Sequence, residues 1–137
     1  EGLGLEPQLK WLEAVPTTEV HVRKCDVSSA ESVAGLLAAC TAELGSAPKG
    51  IIHAAGVLDR CPMAEMTKES LAKVCNPKAG GAWHLHSSTK ELDLALFVLF
   101  SSVSSVVGLA GGASYSAANA YLDGLALWRR ERPLGAL

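Results

Sequence analysis

Short apolar runs alternate along this 137-residue chain with longer segments of helical periodicity, and this alternation constrains the fold more than any single motif. Strands are predicted over residues 19–25, 49–55 and 92–102, and helices over residues 29–44, 67–88 and 114–130. Strands that alternate with helices of roughly fifteen to twenty residues form right-handed βαβ crossovers. The sequence therefore predicts an α/β fold, a three-layer αβα sandwich around parallel strands.

Local signals indicate where the helices begin. Pro7 limits a weakly amphipathic helix within residues 1–15 to a start near that proline. Ser28-Ser29-Ala30-Glu31 is a capping-box pattern for the second helix, and Thr67 is the predicted N-cap of the long third helix. Pro77 lies inside that long helix. The helix must bend or restart there, because proline has no N–H and crowds the preceding turn.

The run at residues 94–100 is apolar and rich in aromatic and β-branched side chains. This composition is typical of a strand buried on both faces of a parallel sheet. Ser101 and Ser102 follow the run directly. Because the carboxyl ends of strands in an open α/β sheet border the crevice in which such folds bind ligands, both serine hydroxyls are predicted to lie at a binding site.

The segment after the glycine-rich loop has a helical periodicity that places Tyr115 and Asn119 one turn apart on one face, and Pro133 ends this helix. A phenol, with a pKa of about 10, donates its proton to a carbonyl at neutral pH only where a cation or oriented donors stabilise the phenolate. Alone, a tyrosine in the first turn of a helix is more often structural. The joint spacing of Ser102, Tyr115 and Asn119, with Lys78 thirty-seven residues before the tyrosine, favours a catalytic site.

The composition argues against several other classes of protein. A net charge of -2 and the lack of a basic patch make a nucleic acid or an anionic membrane an unexpected partner. The apolar runs are too short to span a bilayer and the polar start carries no secretory signal, so a cytoplasmic location is expected. The spacing of Cys25, Cys40, Cys61 and Cys75 indicates neither a zinc site nor a disulfide framework, so reduced thiols and no bound metal are expected.

Several spaced motifs agree in order and separation with one family. They are residues 53–59, the run Asn76-Pro77-Lys78, and residues 82–85, 97–102 and 115–123. Together they resemble the ketoreductase domain of modular polyketide synthases and of the related animal fatty acid synthase, a Rossmann-like branch of the short-chain dehydrogenase/reductase superfamily. The resemblance covers essentially the whole chain. It implies NADPH-dependent reduction of a β-keto thioester, held on an acyl carrier protein, to a β-hydroxy thioester.

The resemblance also implies a role for each residue of the predicted catalytic site. Tyr115 would protonate the ketone oxygen as hydride arrives from the nicotinamide, and Ser102 would hydrogen-bond the same oxygen. Lys78 would bind the ribose hydroxyls and stabilise the phenolate, and Asn119 would support a proton-relay water. In most short-chain reductases the lysine follows the tyrosine by four residues and the asparagine lies on the earlier helix. Here Asn119 follows the tyrosine and Lys78 lies on the earlier helix, and this exchange is typical of these ketoreductases. The alternative for Lys78 is a solvated surface lysine.

Cofactor contacts are implied by the same resemblance. The residues concerned are Asp26 and Val27 at the adenine, Ala54, Ala55 and Gly56 where the dinucleotide approaches the backbone, and Lys78, Ser101 and Tyr115. Several have a structural alternative: Asp26 could form an Asx turn at a helix start, and the small residues could serve tight packing of strand against helix. His53 is interpreted as a strand-end residue and not as a ligand.

No glycine-rich phosphate turn of the form Gly-x-Gly-x-x-Gly precedes residue 19, although that turn holds the pyrophosphate in the implied family. By the resemblance, residues 1–137 are a partial ketoreductase domain, from the region of the third strand to the helix of the catalytic tyrosine, with no second domain. The isolated chain is expected to be inactive. The strand at residues 19–25 would lack both neighbours, so it is expected to be unpaired or to dock against the strand at residues 49–55.

Two fingerprints of product stereochemistry are broken. Reductases that set one alcohol configuration carry Leu-Asp-Asp where this chain has Leu58-Asp59-Arg60, and those that set the other carry Trp at the position of Val107. The sequence therefore assigns no handedness to the product. A fatty acid synthase ketoreductase and a non-catalytic ketoreductase-like subdomain stay open as alternatives, and the other domains of the same megasynthase are expected partners.

Overall fold

The structure, a computed structural model, describes residues 4–131. Its helices are α1 (Glu6–Glu13), α2 (Ala30–Leu44), α3 (Lys68–Cys75), α4 (Gly81–Thr89), α5 (Ser104–Val107) and α6 (Ala113–Glu131). The strands are β1 (Gly50–His53) and β2 (Leu96–Leu99), a 3₁₀ turn covers Met63–Glu65, and a π turn at Asn76–Gly80 joins α3 to α4. This order is that of a βαβ unit flanked by further helices.

The two described strands form a parallel sheet, with Gly50 paired to Leu96 and His53 paired to Leu99. Between them the chain passes through α3, the π turn and α4, which form the crossover that parallel strands require. The predicted α/β class with parallel strands is therefore confirmed. The N–H of Phe100 donates to the carbonyl of His53 at 2.9 Å and extends the ladder past the end of β2.

One face of this sheet packs on α4 and α6. The partly buried Leu99 lies on this face and packs against the buried core, which consists of Ala82, Leu122 and Leu125. On the opposite face the apolar side chains are exposed: Ile52 by 64%, Leu96 by 44% and Val98 by 40%. The prediction that the central strand is buried on both faces is therefore wrong, because α4 and α6, the helices with extensive contacts to the sheet, both lie on the side of Leu99.

The predicted strand at residues 19–25 is also wrong, because the structure gives this segment no regular secondary structure. Side chains attach it to α2: Arg23 pairs with Glu43, and His21 Nδ1 lies 3.8 Å from the same carboxylate. Val22 is 71% exposed. A strand needs a hydrogen-bonded neighbour, and within residues 4–131 β1 pairs with β2 alone. The alternative in which this segment docks against β1 is thus contradicted, whereas the expectation that it is not paired with another strand is confirmed.

The predicted helix starts near Pro7, Ser29 and Thr67 are confirmed, but the capping box of Ser28 and Glu31 is not formed. Pro7 lies in the first turn of α1. Ser29 caps α2 by accepting the N–H of Ser32, one residue further along than the Ser28 that opens the capping-box pattern. Thr67 caps α3 by accepting from Ser70 at 3.2 Å, while the Ser70 hydroxyl accepts the N–H of Thr67 at 3.0 Å. These caps satisfy N–H groups that have no partner within the helix. The predicted helix end at Pro133 lies outside the described residues.

The long helix predicted over residues 67–88 changes its winding at Pro77, as expected. Proline offers no N–H, and the chain forms the π turn there, with the N–H of Gly81 donating to the carbonyls of Asn76 and Lys78. The side chain of Lys78 is buried, with 5% of the residue exposed. The winding therefore sets the direction in which Lys78 leaves the crossover.

Helices α4 and α6 are joined by a buried pair of polar side chains. Arg129 of α6 is 7% exposed, lies 3.9 Å over the ring of Phe97 and is 2.5 Å from Nδ1 of His86 on α4. Burial lowers the pKa of His86, and the charge of Arg129 lowers it further. His86 is therefore neutral at pH 7 and accepts the guanidinium N–H. The pair holds α6, which carries Tyr115, against the crossover.

Candidate active site

The candidate site lies beyond the carboxyl ends of β1 and β2. Ser101 and Ser102 follow β2, the π turn carries Lys78, and the first turn of α6 carries Tyr115. The ammonium of Lys78 donates to the carbonyl of Phe100 at 2.9 Å and lies 5.5 Å from the centroid of the Tyr115 ring. Three separated parts of the chain therefore meet at the edge of the sheet where such folds bind ligands.

Lys78 is buried and is not the solvated surface lysine of the alternative interpretation. The carbonyl of Phe100 accepts one of its three N–H donors, and the face of the Tyr115 ring attracts the cation. An ammonium that is taken out of water costs free energy unless its donors are satisfied. The remaining N–H donors of this buried lysine can thus form hydrogen bonds to a bound ligand.

Gly56 makes room for this lysine. A Cβ atom at residue 56 would lie 2.9 Å from Cε and 3.4 Å from Nζ of Lys78. Contacts this short would force the lysine side chain to move. The sequence interpretation assigned Gly56 to the approach of a cofactor and missed its contact with Lys78, because nothing in the spacing of the two residues indicates it.

Asn119 is completely buried one turn after Tyr115. Its side-chain Nδ2 donates to the backbone carbonyl of Tyr115 at 2.8 Å, and its backbone carbonyl accepts a hydrogen bond from the hydroxyl of Ser101 at 3.2 Å. Its Oδ1 has no hydrogen-bond partner within the described part of the chain. A buried amide oxygen is costly to leave unpaired, so this atom is an acceptor suited to a water or a ligand hydroxyl.

Ser102 is half-buried at the start of a turn that the sequence did not reveal. Its Oγ accepts the N–H of Ser104 at 3.2 Å, which leaves the hydroxyl proton free to donate to a ligand. The turn continues into α5, where a glycine-rich loop was predicted. The Ser102-to-Ser104 spacing is the local signal for such a turn.

The two residues predicted at the adenine lie at the start of α2. The Oδ1 of Asp26 accepts the N–H of Ser28 at 2.9 Å, which is the Asx turn of the structural alternative. The carbonyl of Val27 lies 3.0 Å from Nδ1 of His84, and its side chain would be 3.1 Å from a Cβ atom at Gly81. Asp26 therefore shapes the turn that leads into α2, and Val27 joins this turn to α4. Contact of either residue with the adenine stays a prediction.

His53 has a larger role than the sequence interpretation gave it. It is the last residue of β1, as predicted, and its Nε2 lies 2.9 Å from the backbone carbonyl of Lys78. Ala54 and Ala55 follow it, exposed and half-buried respectively, on the way to Gly56. The link between His53 and Lys78 joins residues 25 apart, which no local pattern predicts.

Within residues 4–131 no helix is long and apolar enough to cross a membrane. The same residues contain no group of three or more His, Cys, Asp or Glu side chains that could hold a metal ion.

This arrangement places the chain in a structural class. The fold matches a short-chain dehydrogenase/reductase from Brucella melitensis with a TM-score of 0.71 and 22% sequence identity, over 83% of this chain and 49% of that one. A parallel sheet with a crossover and polar side chains beyond its carboxyl edge is the Rossmann-like fold of the short-chain dehydrogenases/reductases.

Closer relatives identify the family within this class. The family model of the KR domain matches residues 6–137. The A-type ketoreductases of a modular polyketide synthase match with a TM-score of 0.78 and 41% identity, over 92% of this chain and 26% of theirs. The spectinabilin polyketide synthase system protein NorB of Streptomyces orinoci is 43% identical over 99% of this chain and 6% of its own length. The chain belongs to the KR family, the ketoreductase domains of modular polyketide synthases.

The chain thus spans about a quarter of the length of such a solved ketoreductase and a small part of the synthase. The relatives favour the polyketide synthase interpretation over the fatty acid synthase alternative.

Proposed function

We propose that this chain is the catalytic-side part of a ketoreductase domain that reduces a β-keto thioester on an acyl carrier protein to a β-hydroxy thioester with NADPH. The observation that carries the proposal is the buried residue Lys78, whose ammonium lies 5.5 Å from the centroid of the Tyr115 ring. A buried lysine with N–H donors left for a ligand is typical of a functional site. The other domains of the same cytoplasmic megasynthase would deliver the substrate.

The residues present fit a nicotinamide dinucleotide. Lys78 has N–H donors left for ribose hydroxyls, and the free Oδ1 of Asn119 accepts a water or hydroxyl close by. Asp26 and Val27 at the start of α2 are the residues proposed to meet the adenine, and Ser101 and the small residues after β1 would line its path. When bound, the cofactor supplies the hydride that attacks the ketone carbon.

Within this proposal Tyr115 donates its phenolic proton to the ketone oxygen as negative charge develops there. The hydroxyl of Ser102 donates a hydrogen bond to the same oxygen. Lys78 stabilises the phenolate that remains, because an opposite charge nearby favours the ionised form. A water held by Oδ1 of Asn119 returns a proton from solvent to the phenolate. The ketone thereby gains one hydride and one proton, and Tyr115 is restored.

The test of the proposed function uses the intact parent protein, a β-keto thioester and NADPH. We expect oxidation of NADPH that depends on the thioester and yields an equal amount of β-hydroxy thioester, measured by absorbance and mass spectrometry. The separate 137-residue chain should give none. A parent that binds NADPH tightly and reduces no β-keto thioester would instead support a non-catalytic subdomain.

A second prediction concerns Gly56. The Gly56→Ala change places a methyl group 2.9 Å from Cε of Lys78 and should displace the ammonium. We expect kcat to fall by about 10- to 100-fold, because misplacing a catalytic group by about 1 Å can cost two orders of magnitude. Gly35→Ala is the matched control, since a Cβ atom there meets nothing within 4 Å. Equal activity of the Gly56 variant and wild type would contradict the contact.

A further inference from the structure

The starting point is the hydrogen bond between His53 and the backbone of the candidate catalytic lysine. His53 is 3% exposed, and its Nε2 lies 2.9 Å from the carbonyl of Lys78. The ring also packs against α4, where a Cβ atom at Gly81 would lie 3.1 Å from its Cε1. The imidazole is therefore enclosed between the end of β1 and the point where the π turn becomes α4.

The chemistry of this contact determines the tautomer. A backbone carbonyl only accepts, so Nε2 of His53 must carry the proton and donate it to the oxygen of Lys78. Burial lowers the pKa of His53, the bond to the Lys78 carbonyl opposes this, and the ammonium charge of Lys78 lowers the pKa further. The side chain is thus a neutral imidazole at pH 7, oriented by a single donor.

Three contacts then hold Lys78 along its length. The imidazole of His53 holds its backbone, Gly56 borders its Cε, and the carbonyl of Phe100 accepts from its Nζ. All three come from the ends of β1 and β2, whereas Lys78 itself belongs to a π turn. The bonds of Lys78 to His53 and Phe100 therefore tie this turn to the sheet. Such π turns are rare and often occur at functional sites.

We propose that His53 is a positioning residue, which through the Lys78 carbonyl sets the place of the Lys78 ammonium beside Tyr115. This inference rests on the proposed function, since the position of the ammonium matters only if Tyr115 is the acid. His53 touches neither substrate nor hydride in this account. It acts by holding the backbone from which the lysine extends.

The His53→Phe change tests this proposal in the intact parent protein, because it keeps a ring of similar size and removes the N–H donor. We expect kcat to fall by about 10-fold or more, since the ammonium shifts from its place. The alkaline limb of the pH–rate profile should move to higher pH, because a displaced cation stabilises the phenolate less. The KM for the thioester should change little.

The His53→Asn change supplies a shorter donor at the same position and should recover part of kcat. A Gly81→Ala change, which presses on the imidazole from α4, should shift the profile in the same direction and covers the case in which His53→Phe does not fold. The titratable groups that contact Lys78 within the described residues are His53 and Tyr115. The thiol of Cys75, three residues before Lys78, lies 4.0 Å from the carbonyl of Ser114, the residue before Tyr115. A Cys75→Ser background removes the thiol from the profile.

His84→Phe is the matched control. It removes a bond of the same kind, from a histidine to a backbone carbonyl, but the carbonyl is that of Val27 and not that of Lys78. Its alkaline limb should coincide with that of wild type. A folded His53→Phe enzyme with lower activity and an unmoved alkaline limb would show a structural role only and overturn the inference. An inactive wild-type parent that binds NADPH would instead contradict the proposed function, which separates the two failures.

Discussion

Replacement of Tyr115 by Phe in the intact parent protein is expected to lower the rate of ketone reduction by about a thousandfold, within the range that general acid catalysis contributes. The change removes one oxygen and keeps the ring that lies 5.5 Å from the ammonium of Lys78. NADPH binding should therefore stay close to that of wild type. Steady-state rates with a β-keto thioester and a fluorescence titration with NADPH measure the two quantities separately.

Tyr121→Phe is the matched control for this change. Tyr121 lies on the same helix, α6, is 42% exposed, and lines a surface pocket with Trp83 and Trp128. Removing its hydroxyl should leave kcat and NADPH affinity unchanged. If the Tyr115 variant kept full turnover, the ketone oxygen would have to receive its proton from another group, and the assignment of the acid would be refuted.

Features that depend on neighbours in the sequence were predictable. The caps at Ser29 and Thr67 satisfy backbone N–H groups no more than three residues away. The local sequence is therefore enough to explain where these helices begin. The periodicity of α6 places Tyr115 and Asn119 one turn apart, and the bond from Asn119 to the Tyr115 carbonyl is the direct result. Pro77 predicted a change of winding for an equally local reason, the missing N–H.

Features that depend on distant neighbours were not predictable. The composition of residues 94–100 indicates burial, but Val98 is 40% exposed because burial is decided by what packs on the sheet. Residues 19–25 have the alternation of a strand and form none, since a strand needs a hydrogen-bonded neighbour. The bond from His53 to the Lys78 carbonyl likewise joins residues brought together by the crossover. The short helix α5 spans four residues, too few for periodicity to reveal it.

The second large effect is expected for Lys78→Met, which keeps an unbranched side chain in the same space and removes the charge. The rate should fall by about a hundredfold or more, since one oriented donor at a site of developing charge is worth that much. Unlike Tyr115→Phe, this change should also weaken NADPH binding, because the proposed bonds to the ribose hydroxyls are lost. Lys78→Arg should not restore activity, since a planar guanidinium places its donors differently from the compact ammonium that lies beside Gly56.

Stability distinguishes this catalytic role from a structural one. Lys78 as a residue is 5% exposed, and within residues 4–131 its ammonium has one hydrogen-bond acceptor, the carbonyl of Phe100. A buried charge with unused donors costs more than a well-packed thioether, so Lys78→Met should leave Tm unchanged or raise it. Lys49→Met is the control, since this 72% exposed lysine pairs with Asp93 at the opposite end of the sheet and should affect neither rate nor Tm. A residue that is retained for catalysis is expected to lower the stability of the folded state, whereas a structural residue raises it. A Lys78 variant that lost stability and activity together would therefore show a structural role for the lysine.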